Sequence, residues 1–326
     1  MPIIDVSSLR KTYPGPVEAV RGIDFAVEEG EIFGLLGPNG AGKTSTVRML
    51  ATLSRPTAGR IEIAGADAIA DPAAVRRAIG YVSQGATVDA QLTGRENLTL
   101  QGRLYGLGGG ELRRRVEELL SLLGLEEAGD RLARTFSGGM QRRLDLAMGL
   151  VHRPRLLFLD EPSSGLDPES RRTMWREVER LAREDRITIL LTTHYLEEAD
   201  RLADRVAIID RGRIVGEGAP EALKGRLHGD LVTVRFLRPE DVERAREQVA
   251  ALADVHEVIV EDGRIHASVD DGAKAVPQIV GALAGFDIAD VTMSRPTLDD
   301  VYLSLTGRSF SDAHAEEESD TERSAA

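Results

Sequence analysis

Gly37-Pro38-Asn39-Gly40-Ala41-Gly42-Lys43-Thr44 matches G-x-x-x-x-G-K-[ST], the pattern of a loop that cradles nucleotide phosphates. Gly37, Gly40 and Gly42 permit backbone turns closed to residues with a Cβ, so that successive N–H groups point at one anion. Lys43 adds a point charge, read here as facing solvent and the phosphates, and Thr44 and Ser45 open the next segment. Ile32 to Leu36 before the loop reads as a buried strand. Thr44 to Leu50 after it reads as a helix whose positive end faces the phosphates. Strand, loop and helix stand in the order that phosphate binding requires.

The 326 residues predict about two domains and a sizeable buried core. Cysteine is absent, which excludes disulfides and thiolate chemistry. A formal net charge of -13 disfavours a polyanion as main partner, so no nucleic acid is expected. No apolar run approaches the roughly 18 residues of a membrane span, and Met1-Pro2-Ile3-Ile4-Asp5 lacks the pattern of a signal peptide.

Short apolar runs and turn signals over residues 3–35 indicate a strand-rich opening. Leu112, Val116, Leu119, Leu120 and Leu123 share one face of a helix that stops at Gly124. Arg155 to Asp160 and Ile187 to Thr192 are continuous apolar runs of strand length, as buried parallel strands would be. The first domain, residues 1–225, is therefore α/β. Residues 226–307 read as strand 231–237, helix 240–252, strands 256–261 and 264–269 across Asp262-Gly263, helix 273–284, strand 287–293 and helix 297–305. That βαββαβ order predicts a ferredoxin-like α+β sheet with helices on one face. Leu298, Val301, Tyr302 and Leu305 form the apolar stripe of the last helix. From Arg308 to Ala326 the chain is Ser-rich and acidic around Glu316-Glu317-Glu318, the composition of a disordered tail whose removal should change nothing.

Asp160 and Glu161 follow a buried strand, where ligand sites of open α/β sheets lie. Asp160 would reach Mg²⁺ or its bound water, and Glu161 would polarise the water that attacks a γ-phosphate. Ser137-Gly138-Gly139-Met140-Gln141 reads as a Gly turn opening a second helix, hence a second anion site. Two such helix ends far apart in sequence either bind two anions or share one nucleotide between two copies.

The sharing pattern resembles ABC ATPases, whose two copies sandwich two ATP molecules head to tail. In that resemblance Ser137, Gly138 and Gly139 belong to the signature motif, and Tyr13 is the aromatic that stacks on adenine. Gln84, in Tyr81-Val82-Ser83-Gln84, reads Mg²⁺ and links to the transmembrane partner, while Thr44 and Asp160 complete the metal site. Ser164-Gly165-Leu166-Asp167 resembles the loop that contacts the opposite subunit, although capping of a helix near Pro168 explains Asp167 almost as well. His194 matches the switch histidine that hydrogen-bonds the γ-phosphate. The chain departs from the family pattern at Phe136, where Leu is usual, at Met140, where Gln is usual, and at Gly165, where Ala is usual.

The segment Arg295 to Gly307 is similar to the terminus of the ATPase subunits of the daunorubicin/doxorubicin-resistance type. Ala51-Thr52-Leu53, Thr93 to Leu98 and Arg142 to Asp145 agree with it. This resemblance implies an exporter subunit held at the cytoplasmic face of the membrane by a separately encoded permease, with ATP and Mg²⁺ as cofactors. Because the loop of Gln84 continues into this region, the docking surface is expected around Gln84 to Leu98 together with the helices flanking Leu112 to Leu123, with Arg95 and Glu96 as candidate contacts. The alternative is a soluble ABC-type ATPase acting on nucleic acid or ribosomes, against which stand the single phosphate loop and the lack of a long heptad run.

Overall fold

The computed structural model describes residues 2–313 apart from 16, 86, 228, 239, 240 and 262. The N-terminal elements run β1 Ile4–Tyr13, β2 Val17–Val27, β3 Ile32–Leu36, α1 Lys43–Leu50, β4 Ala58–Ile63, β5 Ala66–Asp67, α2 Pro72–Ala78 and β6 Ile79–Val82. Then come α3 Gly94–Leu104, α4 Gly109–Leu122, α5 Gly138–Leu150, β7 Leu156–Asp160, α6 Pro168–Arg183, β8 Thr188–Thr193, α7 Leu196–Leu202 and β9 Arg205–Asp210. The remainder is β10 Arg213–Gly218, α8 Pro220–Lys224, β11 Asp230–Phe236, α9 Val242–Ala250, β12 Val255–Glu261, β13 Arg264–Val269, α10 Gly272–Ala282, β14 Ile288–Ser294 and α11 Leu298–Thr306. The chain divides into two compact units between Ile214 and Val215, inside β10 and earlier than the expected division after residue 225.

In the first unit, β2, β1, β4 and β5 form an antiparallel sheet, and a six-stranded sheet has the order β10-β9-β3-β8-β7-β6. The neighbours from β9 to β6 all pair in parallel. Their apolar runs are continuous because both faces are covered. Leu156, Phe158, Leu190, Phe33 and Leu35 pack into one core with β1, β4 and α1, whereas Leu157, Leu159, Ile189, Leu191 and Ile32 pack into another with α4, α5 and α6. The period of two along a strand thus divides one run between two cores. Helix α3 starts at a capping box in which Thr93 and Glu96 satisfy each other's backbone N–H. Glu96 therefore has a local structural task, and Arg95 pairs with Asp130 at 2.7 Å and with Glu117. Reversing those two charges would disturb the start of α3 and its tie to α4, so they are poor reporters of docking.

In the second unit the antiparallel order β12-β13-β11-β14 is that of a ferredoxin-like sheet. Ile265, Ala267 and Val269 of β13 join Val232, Val234 and Phe236 of β11 beneath α9 and α10. The alternate residues His266 and Ser268 face the other way and line a small cavity with Leu303 and Ser304 of α11. Thus α9 and α10 lie on one face as expected, and α11 closes the other. Its buried stripe is Leu298, Val301, Tyr302 and Leu303; Leu305, expected there, is 41% exposed. The turn at Asp262 and the start of the helix read at 240 lie partly outside the described residues.

The chain does not lose order at Arg308. Phe310 is buried edge-on to Tyr302, with ring centroids 5.0 Å apart, and Ala313 is fully buried. The Phe310 N–H donates to Asp299 Oδ1 at 3.3 Å. Hence removing residues 308–326 should destabilise this unit, contrary to the reading of the whole stretch as a dispensable tail; residues 314–326, with the glutamate run, lie outside the described residues. Phe310→Ala is expected to cost about 3 kcal/mol, within the range for a buried Phe truncated to Ala. Calorimetry checks this, and an unchanged unfolding midpoint would show that the packing of Phe310 contributes nothing.

Candidate nucleotide site

The order β3-β8-β7 brings three strand ends side by side, and the loops that follow them build the site. Leu36 is in register with Thr193 and Asp160 with Thr192. The phosphate loop after β3, Asp160-Glu161 after β7 and His194 after β8 therefore meet at one edge. An open depression of about 330 Å³ there is lined by Asn39, Gly40, Gly42, Lys43, Thr44, Ser45, Gln84 and Glu161.

Two glycines are required by space. A Cβ on Gly37 would approach the Ile209 carbonyl oxygen to 2.3 Å, and one on Gly42, which has φ +107°, would approach that of Ala19 to 2.4 Å. Gly42 N-caps α1 without a side-chain bond, so the first N–H groups of the helix are left to face an anion. Pro38 and Ala41 complete the loop. The Lys43 ammonium is not solvent-facing as expected: it is 4% exposed and donates to the Gly37 and Pro38 carbonyls at 2.8 and 2.9 Å.

Glu161 is the centre of the arrangement. Its Oε1 lies 3.6 Å from Lys43 Nζ, and its Oε2 accepts from Gln84 Nε2 at 3.0 Å and lies 3.2 Å from His194 Nδ1. Burial opposes ionisation of this carboxyl, but the His194 hydrogen bond and the Lys43 charge outweigh it and hold the group below its ordinary range. The backbone of Glu161 has φ +49°, a left-handed conformation that costs a non-glycine residue about 1 kcal/mol or more. Its N–H is held by both the side-chain and main-chain oxygens of Thr192, at 3.0 and 3.2 Å.

Asp160, 1% exposed, accepts from Thr192 Oγ1 at 2.7 Å and Thr44 Oγ1 at 3.3 Å on Oδ1, and from the Tyr81 hydroxyl at 3.4 Å on Oδ2. Burial and the Asp160 charge push the Tyr81 phenol up to about 12, so it remains a donor. The residues fit Mg²⁺. Thr44 and Asp160 present hard oxygens beside the phosphate loop, and this ion takes one or two such ligands and completes its shell with substrate phosphates and water. No cluster of three His, Cys, Asp or Glu side chains of metal-holding geometry occurs among the described residues.

Tyr13 lies beside the same loop, its hydroxyl 3.3 Å from Ser45 Oγ and its ring under the Lys11 ammonium at 4.8 Å. Ser137, Gly138 and Gly139 are not among the residues lining the depression. Ser137 caps α5 by accepting from Met140 N–H at 3.3 Å, and a Cβ on Gly139 would come within 2.8 Å of Ser170 Oγ. Asp167 caps α6, accepting from the N–H groups of Glu169 and Ser170 at 3.0 Å each. The signature turn and the start of α6 that Asp167 caps thus lie together, and none of Ser137, Gly138, Gly139 and Asp167 lines the depression. The departures from the family pattern are accommodated: Phe136 is a core residue, and Gly165 has φ +73°, where an Ala would be strained.

Sequence reasoning did not pick out Thr192 or Tyr81 as parts of the site. Thr192 carried a signal, since a hydroxyl at the end of an otherwise apolar buried strand must find a partner.

The chain is similar to known proteins of one family. A family model described as ABC transporter matches residues 20–164. The daunorubicin resistance ATP-binding protein DrrA2 of Streptomyces coeruleorubidus is 44% identical over 317 residues, covering 96% of this chain and 98% of the relative. The daunorubicin/doxorubicin resistance ATP-binding protein DrrA of Streptomyces peucetius is 42% identical over 326 residues, covering 98% and 97%. A solved ATP-binding cassette, dimeric in a post-hydrolysis state bound to ADP and Pi, matches with a TM-score of 0.61 and 25% identity, covering 66% of this chain and 98% of that one.

Proposed function

We propose, from the premise that this chain belongs to the ATP-binding subunits of ABC transporters, that two copies close around two ATP and drive a separately encoded permease that exports a drug-like amphiphile. The observation that carries the reading is Glu161, ionised beside Lys43 and fixed through one oxygen by Gln84 and His194. A carboxylate held in one orientation next to a phosphate loop is placed to take a proton from an attacking water. Lys43 and the N–H groups of the loop and α1 would bind the phosphates, His194 would orient the terminal one, and Tyr13 would stack on the base. Thr44 and Asp160 would hold Mg²⁺, with Gln84 reaching it from the side. When bound, the ion supplies charge that offsets the negative charge of the phosphoryl oxygens.

That Ser137, Gly138, Gly139 and Asp167 do not line the depression of their own chain supports the shared site. No helix among the described residues is long and apolar enough to cross a membrane, so the permease would come from another chain and hold this one at the cytoplasmic face. Both relatives are named for drug resistance, which supports an exporter. The second unit carries none of the nucleotide-site residues, which supports a role in assembly.

Affinity purification of the tagged chain from detergent-solubilised membranes tests this. The expected result is co-recovery of a protein with about six spans of roughly 20 apolar residues each. Recovery of ribosomes or nucleic acid with no membrane protein would overturn the transporter reading in favour of the soluble alternative.

A further inference from the structure

Helix α5 begins at the signature turn, and two charged residues three apart on it are buried: Arg142 is 7% exposed and Asp145 3%. Arg142 reaches across to the end of β7. Its Nε donates to the Pro162 carbonyl at 2.8 Å, and its Nη2 to those of Asp160 and Glu161 at 3.1 and 3.2 Å. Its Nη1 donates to the Ser83 carbonyl at 2.5 Å. Asp145 accepts from the N–H and hydroxyl of Thr87 at 2.9 and 2.6 Å.

These bonds have a common object. The carbonyls of residues 160–162 stand at or beyond the strand end and need donors from elsewhere when buried. The planar guanidinium meets four carbonyls at once, which a lysine ammonium on one stem cannot do. Ser83 and Thr87 flank Gln84, so α5 grips both ends of the segment that carries it. Gln84 and the backbone of Glu161 are thereby fixed to the same helix whose first turn holds Ser137, Gly138 and Gly139.

The geometry points to Arg142 and Asp145 as positioning residues for ATP hydrolysis, tying the chain's own Glu161 and Gln84 to the helix whose signature end faces the nucleotide held by a second copy. This rests on the shared-site reading above. Engagement of the signature turn by the partner's nucleotide would be transmitted through α5 to the hydrolytic carboxylate in the same chain. Neither residue touches nucleotide, so their loss should act on kcat and leave binding in place.

The test uses the full chain, steady-state ATP turnover and titration with a fluorescent ATP analogue. Arg142→Lys keeps the charge and loses the fork; it should lower kcat about tenfold or more with KM and analogue affinity within about twofold of wild type. Thr87→Val removes only the hydroxyl donor to Asp145 and should lower kcat about threefold at unchanged KM. Unchanged kcat in either variant overturns the role of the residue it probes. A loss of analogue affinity equal to the loss of kcat in Arg142→Lys overturns it as well, since Arg142 would then only hold the fold. The shared-site reading fails separately if Glu161→Gln, in which both ties are intact, stays monomeric with ATP.

Discussion

Glu161→Gln is expected to bind ATP at least as tightly as the wild type and to lose roughly 10²- to 10⁴-fold in turnover, the range removed with a general base. The amide keeps the shape of the carboxylate and its carbonyl can still accept from Gln84, which now holds it at 3.0 Å. It cannot take a proton from water. The substitution also removes a negative charge that lies 3.6 Å from Lys43, beside the place of the phosphates, so affinity should not fall. Steady-state turnover and analogue titration, side by side, check both halves. Turnover within about tenfold of wild type would show that Glu161 is not the base.

Lys43→Ala should abolish measurable turnover and weaken ATP binding about 100-fold, as loss of a charge-assisted bond to phosphate requires. The structure adds a second effect. Because Lys43 is buried against Gly37, Pro38 and Glu161, its removal leaves two carbonyls without that donor and a carboxylate without its ammonium. Breaking a buried pair from one side costs about 3–5 kcal/mol, and the hold of His194 and Gln84 on Glu161 places the expected loss below that range. The variant should therefore stay folded with a lowered thermal midpoint, measured by calorimetry, and bind poorly. Wild-type affinity for the analogue would mean that the loop has a structural role only.

The phosphate loop, Asp160-Glu161 and His194 were legible because each follows a short apolar run, and parallel strands place such ends on one edge. The βαββαβ order of the second unit was legible for the same reason, since alternation and turn residues are local. What escaped depends on distant partners. Lys43 looked solvent-facing because nothing near it in sequence shows that Glu161 lies above it. Arg142 entered the reading only as part of a stretch that agrees with the resemblance, because its partners are carbonyls of two distant segments, residues 160–162 and Ser83, and a carbonyl leaves no mark in a sequence. Leu303 took the place expected for Leu305 because α11 is short and packs under Phe310 and beside α8, which widens its buried face. Phe310 was read with the tail because an isolated aromatic among serines and aspartates has no periodicity to reveal it.

The mass of Glu161→Gln by light scattering, with and without ATP and Mg²⁺, tests the central claim most directly. The shared site predicts a single chain without nucleotide and twice that mass with it, and reversion to one chain when Ser137 is also replaced by a bulky residue such as Phe. A mass of one chain under both conditions, from protein that still binds the ATP analogue, would contradict it.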